Sequence, residues 1–375
     1  MKKVVIVSAC RSAIAKAKMD DREWTIPPVI KLGGEVIKKA IYDAGVPINR
    51  VDHVIMGCVN QENLGQNPAR QAACMGNLPC ETTATTINSV CGSGLDSINM
   101  AAQMIQSDNA DIVVAGGMEY MSSYMNNIDK ILEDFIQKVP MIYLGELIAN
   151  KYKISREEAD EFAYSSYCKY INAFKSGKFF DETVSIKPFC EEDNCFRECA
   201  LDELSNLKNV SGLTTGILTA GNSTCNADGA AVVVMMSEEK AKELNIHPMA
   251  TFVGGCLGGT KPSNMCIGSV ISTNKLLRRL NLSINDIDLI ELNEAFASQV
   301  IATCRELNID MNKLNVNGGS IAMGHPIGAS GARILVTLIH EMKRRKVKRG
   351  LATISIGGGM GCSTIIEMDN GGIEI

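Results

Sequence analysis

The stretches KKAIYDAGVPINRVDHVIMG (residues 38–57) and NKLLRRLNLSINDIDLIELN (residues 274–293) align with each other without a gap. In each, apolar residues recur at helical spacing, a turn follows, and Ile-Asn precedes a short apolar segment of strand length. The agreement predicts that one helix–turn–strand unit occurs twice in the chain.

Two further pairs of segments occur in the same order and at nearly the same separation. Ser93-Gly94 and Ser330-Gly331 each open a helical stretch, and VVAGGMEYMS (113–122) is matched by ISIGGGMGCS (354–363), an apolar strand that runs into glycines, Met and later Ser. A single match of this kind is common, but three in order indicate a duplication. Strands that alternate with helices predict an α/β fold, with parallel or mixed sheets covered by helices.

The duplication divides the chain into three parts. We expect an N-terminal half over residues 1–119, completed by a strand near 225–245, and a C-terminal half over residues 246–375. Residues 120–245 have no counterpart in the other copy and predict an inserted domain. Within it, ISREEADEFAYSSYCKYINAF (154–174) has the capping-box pattern Ser-x-x-Glu at the start of a polar helix. A long insertion beside a duplicated core is a natural lid over a ligand.

Composition and charge exclude several classes of protein. With 375 residues, 46% of them hydrophobic, the chain buries large cores, and its longest apolar runs are too short to cross a membrane. A net charge of −5 and a pI near 5.6 lack the basic character that nucleic-acid binding needs. Fourteen cysteines without the spacing of a disulfide scaffold, and an N-terminus without the long apolar region of a secretory signal, indicate the cytoplasm.

One cysteine stands out from the others. The segment TTINSVCGSGLDSINMAAQMI (85–105) places Cys91 at the end of an apolar strand and at the start of a helix. Partial positive charge and free N–H groups at a helix N-terminus lower the pKa of a thiol and hold an oxyanion, so the position favours a reactive thiolate. A buried structural cysteine beside a glycine turn gives the same pattern, and other residues must decide between the two.

The second half of the chain supplies candidate partners for this cysteine. His325 lies in NVNGGSIAMGHPIGASGAR (315–333), where glycines keep the backbone tight and the imidazole accessible. Asn293 directly follows the apolar strand IDLIEL, and ISIGGGMG (354–361) ends a strand with glycine N–H groups. Each also has an ordinary structural explanation, as a satisfied histidine, a helix cap or a tight turn.

Together these segments resemble the signatures of the thiolase family in order and spacing. The resemblance rests on INSVCGSG, NEAFA, NGGSIAMGHPIGASGAR and ISIGGGMG, and it extends to GQNPARQA, VVAGGMEYMS, ISREEADEFA and LTAGN, so it covers nearly the whole chain. It is closest to the bacterial acetyl-CoA acetyltransferases of that family. It implies a thiolase-like fold of two duplicated βαβαβαββ halves that form a five-layered αβαβα core, with residues 120–245 as a loop domain that covers coenzyme A.

The same resemblance implies catalytic roles. Cys91 would be the nucleophile that takes an acyl group, and His325 would activate it and help bind the thioester oxygen. Asn293 would hold a water that completes this oxyanion site. The backbone N–H groups of Cys91 and Gly357 would stabilise the tetrahedral intermediate. A thiolate attacks a thioester readily, and an acyl-enzyme divides one hard step into two.

The resemblance also implies the substrates and the assembly. The reaction would condense two acetyl-CoA to acetoacetyl-CoA, or cleave acetoacetyl-CoA with coenzyme A. Coenzyme A thioesters are then substrates, with no permanently bound cofactor and no metal, and a homodimer or homotetramer is expected. No nucleic-acid or membrane partner is expected. The implied contacts to coenzyme A are Met141, Thr224 and Phe296.

The chain departs from the family at a catalytic position. Thiolases carry a second cysteine before the glycine turn, where it removes a proton from the α-carbon of the incoming acetyl-CoA, and here that position is Ser355. A serine hydroxyl is a poor general base near neutral pH, so condensation should be slow unless another group substitutes. Cys362 follows seven residues later, although packing in the last strand is its expected role. The coenzyme pocket differs too, because Pro140 replaces the histidine of the family.

Three functions remain open from the sequence. An acetyl-CoA C-acyltransferase is favoured by the four motifs. A catalytically weakened thiolase-like subunit, which binds acyl-CoA or serves in assembly, is suggested by Ser355. A decarboxylating condensing enzyme would generate its carbanion by loss of carbon dioxide and would need no second cysteine, but NEAFA and GHPIGAS argue against it.

Overall fold

The computed structural model describes residues 2–131, 133 and 138–368. Within them, strands and helices alternate as the sequence predicts. The strands are β1 Val4–Ser12, β2 Ala15–Lys16, β3 His53–Gly57, β4 Thr83–Ile87, β5 Ile112–Tyr120, β6 Thr183–Val184, β7 Ala227–Ser237, β8 Ala250–Gly259, β9 Leu289–Leu292, β10 Arg349–Ile356 and β11 Met360–Glu367. The helices are α1 Pro28–Ala44, α2 Pro68–Met75, α3 Ser93–Gln106, α4 Ile128–Ile131, α5 Met141–Tyr152, α6 Arg156–Lys175, α7 Leu201–Ser205, α8 Glu238–Glu243, α9 Gly268–Leu280, α10 Ala297–Leu307, α11 Ser320–Met323 and α12 Ile327–Arg345.

The duplicated segments form equivalent elements. In the first copy, α1 is followed by a 3-10 turn at Ile48–Arg50 and then β3, and in the second, α9 is followed by a 3-10 turn at Ile284–Asp286 and then β9. Both helices end at a residue with a left-handed backbone, Gly45 and Asn281, which are residue types that tolerate this conformation. The predicted repeat of a helix–turn–strand unit is confirmed.

The order of the strands repeats as well. The first half runs β4-β3-β5-β7-β1, and the second runs β8-β11-β10-β9. In the first half β4, β3 and β5 are parallel, and in the second half β9 and β10 are parallel. An antiparallel strand follows in each half, β7 beside β5 and β11 beside β10. Ile290 also bridges Leu314 in parallel, at the place that β4 occupies in the first half. Strands β1 and β8 pair over two residues, which joins the halves edge to edge.

The apolar side chains form three cores that define the layers. The central core contains residues of α3 and α12 together with strand residues of both halves. A second core lies between the first half and its outer helices α1 and α2. The third lies between the second half and α9 and α10, where the inserted helices α5 and α6 also pack. The expected five-layered αβαβα arrangement is confirmed.

The two central helices approach each other at glycines in their first turns. A Cβ on Gly94 of α3 would lie 2.8 Å from the backbone nitrogen of Ala332 in α12. A Cβ on Gly331 of α12 would lie 2.5 Å from the backbone nitrogen of Leu95 in α3. A larger residue at either position would push the backbones apart. The two Ser-Gly pairs in the sequence therefore set the distance between the N-termini of these helices.

The long polar helix of the inserted segment begins where the capping pattern predicts. The Ser155 hydroxyl accepts a hydrogen bond from the backbone N–H of Glu158, and α6 follows directly. Helices α5 and α6 pack against α10, and Arg305 of α10 forms an ion pair with Glu158. Across the described part of the chain, no helix is both long and apolar enough to cross a membrane.

Buried ion pairs fasten the inserted segment to the core. Arg11 of β1 donates from Nε to Glu182 at 2.7 Å and from its terminal nitrogens to Asp193 at 2.8 and 2.9 Å. All three side chains are buried. Tyr170 of α6 donates a further hydrogen bond to Asp193 at 3.0 Å. Arg11 is the cation that both buried carboxylates share.

Replacing Arg11 with Met should lower the free energy of unfolding by about 3–5 kcal/mol, because Glu182 and Asp193 would keep buried charges without a cation. Urea unfolding followed by circular dichroism measures this loss. Lys187→Met, which removes an exposed pair with Glu191, is the matched control and should leave the unfolding midpoint nearly unchanged. An Arg11→Met protein as stable as its parent would show that Arg11 does not stabilise these buried carboxylates.

Candidate active site

Cys91 lies in the turn that connects the edge strand β4 to the central helix α3. The turn is a 3-10 helix at Val90–Gly92, and Val90 adopts a positive φ of 48°. The thiol is buried, and the backbone N–H groups of Gly357 and of Cys91 itself lie close enough to lower its pKa. Two N–H donors from different halves of the fold therefore converge on the sulfur.

The environment of Cys91 does not favour a resting thiolate. Burial raises the pKa of the thiol to about 11, and the hydrogen bonds from Gly357 and from Cys91 itself lower it by less. The nearby carboxyl group of Glu119 raises it further. The expectation that the helix N-terminus gives a thiolate is therefore wrong for the resting protein, because desolvation of the charged form outweighs the two N–H donors.

His325 is held as a neutral imidazole with one ring nitrogen free. Its Nδ1 lies 2.6 Å from the Ser330 hydroxyl, which itself donates to the carbonyl of Pro326 at 2.8 Å. The hydroxyl therefore accepts from Nδ1–H, and Nε2 carries the free lone pair. Nε2 is buried and has no hydrogen-bond partner among the described residues. Burial, and then the charge of Arg333, lower the pKa of the imidazole to about 3, so the ring is neutral.

A buried carboxyl group ties the start of α12, close after His325, to the loop that follows β3. Glu119, at the end of β5, accepts hydrogen bonds from the backbone N–H of Gly328 in α12 at 2.9 Å and of Val59 at 3.0 Å. The start of α12 packs against the turn that carries Cys91. The cysteine and the histidine thus lie at the N-terminal ends of the two central helices, which face the same end of the central layer.

Asn293 is oriented by a chain of buried hydrogen bonds. Its side-chain oxygen accepts from the Ser320 hydroxyl at 2.7 Å, and that hydroxyl accepts from Arg333 at 2.7 Å. The side-chain NH₂ group of Asn293 is thereby turned away from Ser320. The Thr224 hydroxyl donates to the carbonyl of Ser320 at 2.6 Å, so Thr224 joins the same network.

Met141 and Phe296 lie on segments that contact each other beside the glycine turn. The methyl carbon of Met141 is 3.3 Å from the position that a Cβ on Gly357 would occupy. One turn later in α5, a Cβ on Gly145 would lie 2.9 Å from the ring of Phe296. Phe296 in turn bridges Ser223, the neighbour of Thr224. The three predicted contacts to coenzyme A therefore lie on adjoining segments.

Ser355 is buried and hydrogen bonded to the segment before α9. Its hydroxyl accepts from the backbone N–H of Ser269 at 3.1 Å and lies 3.1 Å from the carbonyl of Cys266. Cys362 faces the other way: it pairs with Ile354 rather than with Ser355, and its sulfur accepts from Asn99 of α3 at 3.2 Å. Cys362 therefore packs in the central core and does not replace the missing second cysteine beside Ser355.

Sequence reasoning missed three polar residues that organise this site. Glu119, Ser320 and Ser330 are all buried and respectively bind the Gly328 N–H, orient Asn293 and orient His325. A charged residue at the end of an otherwise apolar strand was the signal for Glu119. The two serines had no such signal, since serines beside glycines are ordinary in turns.

The thiolase class of acyltransferases has a duplicated five-layered fold. A cysteine and a histidine lie at the N-terminal ends of its two central helices, as in this chain. The family model for the thiolase N-terminal domain matches residues 4–239, and the model for the thiolase C-terminal domain matches residues 246–368. This chain belongs to the thiolase family.

Individual relatives agree over nearly the whole chain. An acetyl-CoA acetyltransferase of Cupriavidus necator is 42% identical over 400 aligned residues, which cover 98% of this chain and 100% of that protein. A 3-ketoacyl-CoA thiolase of Bacillus subtilis is 38% identical over 98% of this chain and 100% of its own. The aligned lengths exceed the 375 residues here, so these relatives contain residues that this chain lacks.

Solved structures show the same fold. The acetyl-CoA acetyltransferase of Bacillus anthracis superposes with a TM-score of 0.93 at 37% identity, covering 98% of this chain and 99% of that one. Human mitochondrial 3-ketoacyl-CoA thiolase in complex with CoA superposes with a TM-score of 0.92 at 36% identity, covering 98% of each chain.

Alkylation of Cys91 by iodoacetamide should be slow near pH 7 and should rise about tenfold per pH unit up to about pH 10, because the raised pKa keeps the thiol neutral below that range. Mass spectrometry of quenched digests measures the rate, with the exposed Cys74 as an internal reference. A rate that is already at its plateau near pH 7 would contradict a neutral resting thiol.

Proposed function

We propose that this protein is an acetyl-CoA C-acetyltransferase, which condenses two acetyl-CoA to acetoacetyl-CoA or cleaves acetoacetyl-CoA with coenzyme A. One observation carries the proposal: two backbone N–H groups lie close to the sulfur of Cys91, while the buried Nε2 of His325, in the other half of the fold, has no partner within the described ranges. The relatives named above carry the names of enzymes that act on such thioesters, which favours an enzyme over a non-catalytic subunit.

In the first half of the reaction, Cys91 and His325 both begin uncharged. As Cys91 attacks the thioester carbonyl carbon, Nε2 of His325 takes the thiol proton, so charge separates only when the carbon–sulfur bond forms. The carbonyl oxygen becomes an oxyanion that the N–H groups of Cys91 and Gly357 stabilise. When the intermediate collapses, the coenzyme A sulfur leaves and takes the proton from the imidazolium. Ser330 holds Nδ1 throughout.

The second half of the reaction needs a carbanion of acetyl-CoA. We propose that Asn293 holds a water that, with His325, binds the thioester oxygen of this second substrate. Ser355 stands where a thiol would remove the α-proton, and its lone pair is already engaged by the N–H of Ser269. Proton removal is therefore the slow step in this chain, whereas transfer of an acyl group to Cys91 has its full machinery.

The inserted segment would hold the coenzyme. We propose the division 1–119, 120–245 and 246–375, with the middle part as the loop domain that covers coenzyme A. Met141, Thr224 and Phe296 would contact the pantetheine arm, which their adjoining positions beside Gly357 support. Coenzyme A enters and leaves as substrate or product.

Assembly and location follow the same proposal. Strand β4 pairs with β3 on one side, lies at the end of the strand order, and is partly exposed along its length, so its other edge suits pairing between copies of the chain. We propose a homodimer or homotetramer on this ground. The cysteines of the described residues are free thiols, which supports a reducing compartment such as the cytoplasm.

The purified protein should cleave acetoacetyl-CoA in the presence of coenzyme A, and Cys91→Ala should remove this cleavage, because no other group forms the acyl-enzyme. Loss of the acetoacetyl-CoA enolate absorbance measures turnover, and intact mass after exposure to acetyl-CoA measures acetylation. Cys362→Ala, which changes a core cysteine, is the matched control and should remain active. Cleavage at equal rates by the parent and by Cys91→Ala would refute the proposal.

Ser355→Cys should raise the rate of condensation by about two orders of magnitude, the range that a positioned general base contributes. Acetylation of Cys91 should change little, because Ser355 takes no part in it. Coupled formation of acetoacetyl-CoA and the mass of the acyl-enzyme measure the two steps separately. If both rates stayed at their parental values, Ser355 would not be the site of α-proton removal.

A further inference from the structure

Two cysteines of residues 120–245 lie beside the backbone of Gly324 and His325. The thiols of Cys195 and Cys225 lie close enough to shift each other's pKa, and both residues are partly exposed. Neither has a role in the reaction proposed above. The chain contains fourteen cysteines, and the position of these two beside the His325 backbone makes them chemically relevant.

The backbone of Cys225 supports the catalytic histidine directly. Its carbonyl accepts the backbone N–H of His325 at 3.0 Å, and Asn226 forms a parallel bridge with His325. In an extended segment, residues 225 and 227 project to the same face. On that face, the Cβ of Ala227 lies 2.9 Å from where a Cβ on Gly324 would be, and the Cys195 sulfur lies 2.6 Å from it.

Cys195 therefore packs against Gly324, the residue that precedes His325, from the same side as the Cys225 side chain. Gly324 has a φ of 92°, and the space that a side chain would need is filled by the Cys195 sulfur. Both cysteines therefore contact the Gly324–His325 backbone, so a change in the distance between their sulfurs would pull on it.

The pair also has the reactivity that oxidation requires. The hydrogen bond from Cys195 lowers the pKa of the Cys225 thiol, and the charge of Lys16 lowers it further against the effect of burial. The thiolate is the form that attacks a peroxide, and a second thiol beside it resolves the product. Cys91, by contrast, is buried with a pKa of about 11 and is the slower target.

We propose that Cys195 and Cys225 form a reversible disulfide when the protein meets a hydroperoxide. The Cys225 thiolate attacks the outer peroxide oxygen, the O–O bond breaks, and with one proton the leaving group becomes water or an alcohol. The Cys195 sulfur then attacks the Cys225 sulfenic acid, loses its proton, and expels hydroxide, which leaves as water. Two thiols are oxidised by two electrons, and one peroxide is reduced.

This bond would slow turnover, a consequence that rests on the proposed function, whereas the formation of the bond does not. A disulfide holds its sulfurs about 2.05 Å apart, much closer than two thiols in hydrogen-bond contact. The pull on Cys225 would move the carbonyl that holds the His325 backbone. A displacement below 1 Å at a group that transfers a proton should lower the rate by about tenfold.

The disulfide is tested on the full chain with hydrogen peroxide at a small molar excess. After alkylation of free thiols with N-ethylmaleimide, a tryptic digest analysed without reduction should contain the peptide with Cys195 linked to the peptide with Cys225, and fragmentation separates Cys195 from the nearby Cys190. Dithiothreitol should remove the link. If the cross-link instead joins Cys168 to Cys199, or if none forms before Cys91 is oxidised, the proposal is overturned.

Matched variants separate the effect on turnover from damage at Cys91. Cys195→Ser should keep the parental activity and lose the peroxide-dependent, dithiothreitol-reversible decrease, whereas Cys199→Ser should keep that decrease. Equal reversible decreases in the parent and in Cys195→Ser would overturn the link to His325. If the parent has no thiolase activity, the proposed function fails, but mapping of the disulfide still decides the fate of the pair.

Discussion

The close contact between α3 and α12 is the constraint on which the rest of the structure depends. Gly94 and Gly331 allow the first turns of these helices to meet backbone to backbone, because a Cβ at either position would overlap the other helix. A similar restriction applies at Gly117, where a Cβ would lie 1.9 Å from the carbonyl oxygen of Gly328. These glycines let the N-terminal ends of α3 and α12 lie close together. Cys91 and His325 each lie two residues before one of these helices.

Burial decides the protonation of this pair more strongly than helix position does. A site enclosed between two sheets excludes water, which penalises a thiolate and an imidazolium alike. The result is a Cys91 thiol with a pKa of about 11 and a His325 imidazole with a pKa of about 3. The same enclosure strengthens the N–H groups of Cys91 and Gly357 as donors to an oxyanion. Exclusion of water therefore explains both the uncharged Cys91 and His325 at rest and the stabilisation of the oxyanion.

The sequence predicts the architecture well because the duplication is written in local patterns. Helical spacing, the turns and the paired Ser-Gly segments predict an α/β fold with a duplicated unit, and the resemblance to the thiolase family implies the five layers. The strand order was not predicted. Other features depend on groups that are distant in sequence. The link of Glu119 to Gly328, and that of Arg11 to Asp193, connect residues 209 and 182 positions apart, and no local pattern reports them. The pKa of Cys91 was mispredicted for the same reason, since desolvation is a property of the folded core.

The two copies of the repeat explain why the proposed catalytic pair spans both halves. Counted back from Ser93 and Ser330, Cys91 corresponds to Gly328, and His325 corresponds to Asn88. Gly328 gives its N–H to Glu119, while Asn88 accepts the backbone N–H of Val90 and shapes the turn that carries Cys91. The N-terminal end of each central helix therefore has one proposed reactive side chain, Cys91 or His325, and one structural residue, Asn88 or Gly328. A symmetric pair of cysteines would lack a base, and a symmetric pair of histidines would lack a nucleophile, so the chemistry requires that the copies differ at these two positions.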